Sequence, residues 1–198
     1  MRYTGAKWRI NRREGTTVLG KGEKWKKNPA FPGQFPILAK RQSDYAFQFR
    51  EKQKVKRMYG MTEKQFVRFY NLALRTKGNS GTRLLQLLEM RLDNVIYKLG
   101  YAGTRAQARQ MVSHGHVLLN GKKHNIPSTI VKEGDEITIK DSILNGSMVS
   151  ELKNSQKNIN IPAWLSLLEK GGKVMAEPVR DDIDRAIREN LIIELYSR

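Results

Sequence analysis

Basic side chains and histidines dominate one short stretch of the chain. Residues 104–123 read TRAQARQMVSHGHVLLNGKK and contain two arginines, two histidines and two lysines, whereas no acidic residue lies between Asp93 and Glu133. Guanidinium and ammonium groups bind phosphate oxygens, and a helix that begins after Thr104 adds the unpaired N–H groups of its first turn. The stretch therefore predicts binding to a polyanion, and a solvated basic surface of the same composition is the alternative.

The sequence offers little for catalysis or metal binding. It has no cysteine and only three histidines, and no third ligand of a suitable type is near His114 and His116 in sequence. The carboxylates of Asp181, Asp182 and Asp184 are explained more simply by an exposed helix start, where acidic groups favour the helix dipole. We therefore predict that the chain is not an enzyme and needs neither a metal nor a cofactor.

The charge of the whole chain supports a polyanionic partner. Its 198 residues include 37 Lys and Arg against 19 Asp and Glu, a net charge of +18. Residues 1–58 carry 16 basic and 4 acidic side chains, whereas residues 141–198 carry 8 and 9. No apolar run approaches the roughly 20 residues of a membrane-spanning helix, and the basic N-terminus lacks the apolar core of a signal peptide. We expect a soluble protein of a cytoplasm-like compartment whose partner is a polyanion and not a membrane.

The first predicted helix of the central region is the most basic. Ser43 can cap a helix that runs to Tyr59 and stops at Gly60. Its apolar stripe is narrow, and most of the remaining surface is cationic. The basic positions are Arg50, Lys52, Lys54, Lys56 and Arg57. Five like charges in eight positions repel one another, so we expect phosphates to neutralise them.

Three further helices follow from caps and apolar spacing. Thr62 with Gln65 forms the pattern of a capping box, and a third helix is expected from Thr82 to Gly100. The helix of the opening stretch is capped by Thr104 in the same way, with Gln107 at the third helical position. The apolar stripe predicted for the second helix is Phe66, Phe69, Tyr70, Ala73 and Leu74. The polar face of the fourth holds Arg105, Arg109 and Ser113, and its inner face Ala108, Met111 and Val112.

A small antiparallel sheet is predicted to follow. Asn120-Gly121 is a strong signal for a two-residue hairpin turn. Further strands are expected around Ile130 and Val131 and over residues 136–140, while Trp164 looks buried. Gly171-Gly172 is read as a turn. The last helix is expected to pack on the early helices through Ile183, Ile187, Leu191 and Leu195.

These elements predict an α+β fold in three parts. Residues 1–42 are expected to be a basic, extended arm, because their aromatic residues are isolated and follow no helical or strand period. Residues 43–90, completed by a C-terminal helix over 181–198, form a helical domain. Residues 91–180 form a smaller part in which two helices pack on the sheet.

Several motifs resemble one ribosomal protein family. RLDNVIYKLGYAGTRAQARQMVSHGHVLLNGKKHNIPS, residues 91–128, resembles the RNA-binding module named after small-subunit ribosomal protein four. The likeness extends over nearly the whole chain to the bacterial or organellar form of that protein, through MRYTG, NRREG, PGQ, SDYAFQFREKQKVKRMYG, TEKQF, PAWLSL and ENLIIELYSR. The fold implied is a helical domain with the module inserted before its last helix.

The resemblance implies a structural protein of the small ribosomal subunit that binds rRNA first and nucleates assembly of the subunit body. It also implies ribosomal proteins five and three as neighbours, a position near the mRNA entry channel, and a contribution to mRNA entry and accuracy. The implied location is a cytoplasmic ribosome, or otherwise an organellar one. Composition, motifs and resemblance together give these candidate rRNA-binding residues: Arg2, Tyr3, Lys7, Arg9, Arg12, Arg13, Lys21, Lys40, Arg41, Arg50, Lys52, Lys54, Lys56, Arg57, Arg83, Thr104, Arg105, Arg109, Ser113, His114, His116, Asn120, Lys122 and Lys123.

One departure from the family concerns zinc. Some members hold zinc through cysteines in the arm, and the matching positions here are Trp8, Asn11 and Trp25, so we expect no zinc and an arm ordered by packing and rRNA. Two other functions use the same module. They are an RNA-modifying enzyme, for which the chain lacks room for a catalytic domain, and a ribosome-rescue or heat-shock RNA-binding protein, which would not need the arm and the C-terminal segment.

Overall fold

The computed structural model describes residues 3, 5–19, 24–33, 43–76, 78–146 and 161–197. These residues form eight α-helices and one five-stranded antiparallel sheet, which confirms the α+β class. The chain divides into two compact units. The first contains Met1–Gly81 with Arg185–Arg198, and the second contains Thr82–Asp184.

The first unit is helical. A 3-10 turn at Lys24–Lys27 separates its first helix from the others. Its helices are α1 (Lys7–Glu14), α2 (Asp44–Met58), α3 (Glu63–Leu74) and the terminal helix α8 (Glu189–Tyr196). Since α1 forms within residues 1–42, the predicted arm is not extended throughout.

Side-chain caps begin α2 and α3 where the sequence predicts them. The Ser43 hydroxyl accepts a hydrogen bond from the Ala46 N–H at 3.3 Å, and the Thr62 hydroxyl accepts one from the Gln65 N–H at 3.4 Å. Gly60 follows α2 with a φ of 61°, a conformation that glycine adopts without strain. The capping box at Thr62 is only half formed, because the side-chain oxygen of Gln65 is buried without a hydrogen-bond partner.

The predicted apolar stripe of α3 is correct except at its end. Phe66, Phe69, Tyr70 and Ala73 are buried, whereas Leu74 is 50% exposed. Leu74 is the last residue of α3, so it lies at the margin of the helix-packing surface.

The terminal helix is shorter than predicted. It begins at Glu189, and the N–H of the preceding Arg188 donates to the side chain of Glu51 at 2.8 Å. Ile183 and Ile187 are buried as expected but precede the helix. α8 packs on α2, as predicted, but its buried residue is Ile192, whereas the predicted Leu191 and Leu195 are only half-buried.

The second unit contains the sheet. Its strand order is β2-β1-β3-β5-β4, all antiparallel. The strands are β1 (Val117–Leu119), β2 (Lys122–His124), β3 (Glu136–Ile139), β4 (Leu165–Leu168) and β5 (Gly171–Val174). The accompanying helices are α4 (Ser80–Glu89), which begins just before the unit, α5 (Leu92–Lys98), α6 (Arg105–Ser113) and α7 (Asp141–Leu144).

The predicted third helix is in fact two helices, α4 and α5. At the break, Arg91 is extended and forms an isolated β-bridge with Ile130. The N–H of Leu92 donates to the carbonyl of Thr129, and the N–H of Val131 donates to that of Met90, each at 2.9 Å. These bonds replace helical ones. The strand predicted around Ile130 and Val131 is consequently a single bridge outside the sheet.

The hairpin is formed as predicted. Asn120 and Gly121 have φ angles of 50° and 77°, which is the backbone of a type I′ turn, and they join β1 to β2. Ile137 and Ile139 of β3 point into the core, and Trp164 is buried in the same cluster, as expected.

The predicted turn at Gly171 and Gly172 is wrong. Both residues begin β5, where they lie against other parts of the unit. A β-carbon on Gly171 would lie 1.9 Å from the carbonyl oxygen of Ile137, and one on Gly172 would lie 2.6 Å from the Leu99 side chain. Glycine is needed here for close packing rather than for turn geometry.

One part of the predicted module cannot be compared with the structure. Residues 147–160 lie outside the described residues. Among the helices that the structure does describe, none has the length and apolar character required to cross a membrane.

Candidate nucleic-acid interface

The arginines of α2 are paired with an acidic residue of α1. Arg50 and Arg57 both donate to the same carboxylate oxygen of Glu14, with Arg57 at 2.5 Å. The Glu14 side chain is only 2% exposed, whereas the two arginines are 30% and 29% exposed. The contact brings the basic face of α2 next to the C-terminal turn of α1, where Arg12 and Arg13 lie.

The lysines of α2 also have carboxylate partners. Lys52 and Lys56 contact the two oxygens of Glu63 at 2.6 and 2.9 Å, and Lys54 contacts Glu51 at 2.8 Å. Carboxylates of the protein therefore neutralise part of the charge that phosphates were expected to neutralise. Five cations share three carboxylates, so the group retains an excess of positive charge.

This arrangement suits a surface that binds phosphate. Each ion pair restricts a long side chain to one region, which reduces the conformational entropy lost when the cation later contacts an anion. Aromatic rings restrict one of these cations further, since the Lys52 ammonium lies 5.2 Å from the ring centre of Phe49 and 5.3 Å from that of Tyr196. We call these residues, Arg50, Lys52, Lys54, Lys56 and Arg57 with Glu14, Glu51 and Glu63, the α2 cluster.

The pKa of Glu63 makes the stability of the protein depend on pH in the acid range. Burial raises the pKa of Glu63, but hydrogen bonds from Lys52, Lys56 and Tyr196 outweigh it and lower that pKa from 4.5 to about 2. A lowered folded pKa stabilises the protein above pH 4.5, and this contribution is lost as the pH falls towards 2. Burial and the Glu63 carboxylate together raise the pKa of the Tyr196 hydroxyl.

We therefore expect Glu63→Gln to flatten the acid dependence of stability. Thermal unfolding should be followed by circular dichroism from pH 6 to pH 2. The melting temperature of the original chain should fall more between pH 5 and 2 than that of the variant. Glu133→Gln, which changes an exposed glutamate of the second unit, serves as the control and should keep the original pH curve. Parallel curves for Glu63→Gln and the original chain would contradict the assignment.

The candidates in the arm are only partly described. Arg2, Lys21, Lys40 and Arg41 lie outside the described residues. Tyr3 is exposed, and α1 carries the others, of which Arg12 is half-buried and the following are exposed: Lys7, Arg9 and Arg13. The guanidinium of Arg13 lies 5.4 Å from the centre of the Phe31 ring, a cation–π contact within the arm.

Hydrogen bonds from one buried asparagine close the loop after α1. Asn11 is fully buried; its side-chain oxygen accepts from the N–H groups of Val18 and Leu19 at 3.1 and 2.9 Å, and its amide donates to the Leu19 carbonyl at 2.9 Å. The indole N–H of Trp25 donates to the Thr17 hydroxyl at 2.9 Å. An amide hydrogen-bonded to the backbone and two indoles, at Trp8 and Trp25, do not form a zinc ligand set. The residues present do not fit the metal that some family members hold.

The candidates on α6 face α5. Thr104 caps α6, accepting from the Gln107 N–H at 3.2 Å. Arg105 donates from Nε to the Asn94 side chain at 2.7 Å, and its guanidinium lies 4.7 Å from the centre of the Tyr97 ring. Ser113, at the end of the helix, is exposed.

Arg109 lies one turn beyond Arg105 and is partly buried. Its Nε is 3.9 Å from a carboxylate oxygen of Asp93, and its side chain is 21% exposed. Burial lowers the pKa of Arg109 and the nearby Arg91 adds to that effect, while Asp93 opposes it. The structure thus brings Arg105 and Arg109 onto one side of α6, against the start of α5.

The remaining candidates of the second unit differ in whether their side chains are exposed or hydrogen-bonded within the protein. His114 and His116 have ring centres 5.9 Å apart, and no group of three or more potential metal ligands occurs in the described part of the chain. Lys122 and Lys123 are exposed on β2. The Asn120 side chain instead holds the turn, accepting from the Glu136 N–H and donating to Asp135, each at 2.8 Å.

Arg83 is also engaged within the protein. It contacts Glu177 at 2.6 Å and Gln86 at 3.2 Å. Sequence reasoning missed the acidic partners in general, since a glutamate on a predicted polar face gives no sign of its position in space. The available signal was their number: Glu14, Glu51 and Glu63 are among the few acids in a strongly basic region.

Two family profiles match successive parts of the chain. Residues 2–89 match the family described as the Ribosomal protein S4/S9 N-terminal domain, and residues 90–137 match the S4 domain. The boundary between them falls at the break between α4 and α5.

Full-length relatives carry one name. The chain is 45% identical to small ribosomal subunit protein uS4 of Ruminiclostridium cellulolyticum, and the match covers 100% of this chain and 99% of the relative. It is 46% identical to the protein of that name from Acetivibrio thermocellus and 44% identical to protein uS4A of Symbiobacterium thermophilum, each with the same coverage. Identity at this level over the full length, with both domains in order, means that the chain belongs to the uS4 family of ribosomal proteins.

Proposed function

We propose that this chain is a structural, rRNA-binding constituent of the small ribosomal subunit. The observation that carries the proposal is the full-length match to relatives named small ribosomal subunit protein uS4, with both family domains present. The net charge of +18 agrees with a polyanionic partner. A structural role requires no reaction, and we assign none.

The proposed rRNA-binding surfaces are the basic face of α1, the α2 cluster, and the side formed by α6 with the hairpin. In the first unit, cations are held near their positions by buried or half-buried carboxylates, and arginines on α1 add exposed charge. In the second, the candidates are Arg105 and Arg109 on α6 and the exposed lysines on β2. Charged groups that face solvent from ordered elements suit the fixed phosphate positions of a folded RNA better than a disordered basic tail does.

The finer parts of the proposal rest on the family resemblance. They are early rRNA binding that nucleates assembly of the subunit body, contact with ribosomal proteins five and three, and a contribution to mRNA entry and translational accuracy. We place the protein on a cytoplasmic ribosome, with an organellar ribosome as the alternative. The rescue or heat-shock protein and the RNA-modifying enzyme are not favoured, because the relatives that match the full chain are ribosomal.

The proposal predicts that the chain binds small-subunit rRNA more tightly than an unrelated structured RNA of equal length. The full chain should be titrated with the 5′ domain of small-subunit rRNA and with an unrelated structured RNA of equal length, at about 50 and about 200 mM salt. A protein that makes 6 to 10 phosphate contacts loses roughly 10³ to 10⁵ in affinity over this range. We expect rRNA to remain preferred at the higher salt.

A matched pair of variants separates interface from general charge. Lys122→Ala with Lys123→Ala removes two cations of the proposed interface, whereas Lys132→Ala with Lys173→Ala removes two exposed lysines of the same unit that lie outside it. The first should weaken rRNA binding by more than the second. Equal losses in the two, with both RNAs bound alike, would mean that binding is nonspecific and would defeat the proposal.

A further inference from the structure

Two consecutive residues at the start of α5 each contact one arginine of α6. Asn94 accepts a hydrogen bond from Arg105 at 2.7 Å, and Asp93 lies 3.9 Å from Arg109. Both α5 residues are almost completely buried, at 1% and 3% exposure.

The orientation of the Asn94 side chain is fixed by its other contacts. Its amide nitrogen donates to the backbone carbonyl of Glu89 at 2.9 Å and to the Glu89 carboxylate at 2.6 Å. Both partners can only accept hydrogen bonds, so the nitrogen must face Glu89 and the side-chain oxygen must face Arg105. Arg105 is thereby held between that oxygen and the ring of Tyr97.

Hydrogen bonds also hold the Asp93 carboxylate in place. Arg91, which is fully buried, donates to its two carboxylate oxygens at 3.0 and 2.7 Å. This bidentate pair balances the charge of Asp93, so Arg109 lies beside a carboxylate that is already paired with Arg91. Lys98 adds a further cation, which lies 3.7 Å from the Glu89 carboxylate.

The two arginines are separated by one helical turn, which places them about 6 Å apart along the axis of α6. Each can therefore face a different phosphate of one RNA segment. A guanidinium that is already oriented loses less conformational entropy on binding, because its rotamers are restricted before the anion arrives.

We propose that Asp93 and Asn94 are positioning residues for RNA binding, which orient Arg105 and Arg109 toward the phosphates of the bound RNA. The inference rests on the proposed function and deepens it, because it assigns phosphate binding by α6 to residues of α5 that touch no RNA themselves. Asp93 and Asn94 are buried, and they act only through the two arginines.

A double-mutant cycle on RNA binding tests the inference. Asn94→Ala, Arg105→Ala and the double variant should be titrated with the 5′-domain rRNA at several salt concentrations. We expect Arg105→Ala to weaken binding roughly fivefold to tenfold and to reduce the salt slope by about 1. Asn94→Ala should reproduce most of that loss, and the double variant should bind no more weakly than Arg105→Ala, because Asn94 acts through Arg105.

Tyr101→Phe is the matched control for a general loss of stability. The Tyr101 hydroxyl donates to the Gly171 carbonyl at 3.0 Å inside the same unit, so its removal also deletes one buried hydrogen bond. We expect Tyr101→Phe to lower the melting temperature as Asn94→Ala does but to leave RNA affinity unchanged. Additive losses in the cycle, or an equal loss of affinity in Tyr101→Phe, would overturn the inference.

A second variant keeps the test valid if Asn94→Ala fails to fold. Arg105→Lys keeps the positive charge but cannot reproduce the guanidinium contacts with Asn94 and Tyr97. It should weaken binding with an unchanged salt slope, and affinity equal to that of the original chain would refute the inference. Failure of the proposed function is recognised separately, because the original chain would then bind rRNA and unrelated RNA alike.

Discussion

Asp93→Ala is expected to lower the free energy of unfolding of the second unit by about 3 to 5 kcal/mol. The substitution removes the carboxylate that Arg91 contacts with two nitrogens, and it leaves that guanidinium charge in a position with 0% exposure. Water cannot replace the lost partner without opening the core. The effect should persist at high salt, because a buried pair is poorly screened.

The loss can be measured by urea denaturation followed through Trp164. This tryptophan lies in the core of the second unit, and Trp8→Phe with Trp25→Phe would remove the other two indoles from the signal. The control is the double change Arg91→Met with Asp93→Ala, which removes both charges. Replacing both partners of a buried pair costs much less than removing one. A single variant as stable as the double one would show that the pair contributes little.

Gly171→Ala is expected to destabilise the same unit by about 3 kcal/mol. The added methyl group would lie 1.9 Å from the Ile137 carbonyl oxygen, 2.9 Å from its carbon and 3.0 Å from the Cα of Thr138. All three atoms belong to the backbone of β3, which pairs with β5. They cannot move aside as a flexible side chain could, so the two strands must separate.

The control for Gly171→Ala is Lys173→Ala, two residues further along the same strand. Lys173 is exposed, and its replacement should change stability by no more than about 0.5 kcal/mol. Both variants place alanine in β5, so a difference between them measures the clash rather than strand propensity. Similar denaturation midpoints for the two would mean that β3 and β5 can separate at little cost.

The elements predicted correctly from sequence are those controlled by local chemistry. Ser43, Thr62 and Thr104 cap helices because a hydroxyl and the N–H groups of the following turn lie within a few residues. Asn120-Gly121 forms its turn because both residues tolerate a positive φ. These outcomes depend on little else in the fold.

The errors concern contacts between distant residues. Nothing near Arg91 in sequence reveals that residues 129–131 pair with the backbone there and divide one apolar pattern into α4 and α5. Gly171 and Gly172 have the composition of a turn, and only the approach of β3 and Leu99 explains them.

The candidate site shows the same division. Basic residues on α2 and α6 were predicted from composition, but their partners were not. Glu14 lies 36 and 43 positions before the arginines that it binds. Asn94 lies 11 positions before Arg105, on a different helix. Charge patterns identify where anions are expected, whereas the acids that orient the cations depend on the folded chain.

The docking of α8 on α2 sets an order for folding during synthesis. Three contacts of α2 and α3, from Glu51 to Arg188, from Gln48 to Glu194 and from Glu63 to Tyr196, span 137, 146 and 133 residues. Because the chain emerges from its N-terminus, Thr82–Asp184 is complete before any of these late partners exists. The second unit can therefore fold first. A chain cut before Arg188 would keep its sheet but would leave Glu51 and Glu63 without these contacts. The first unit is therefore complete only after translation has passed Arg188.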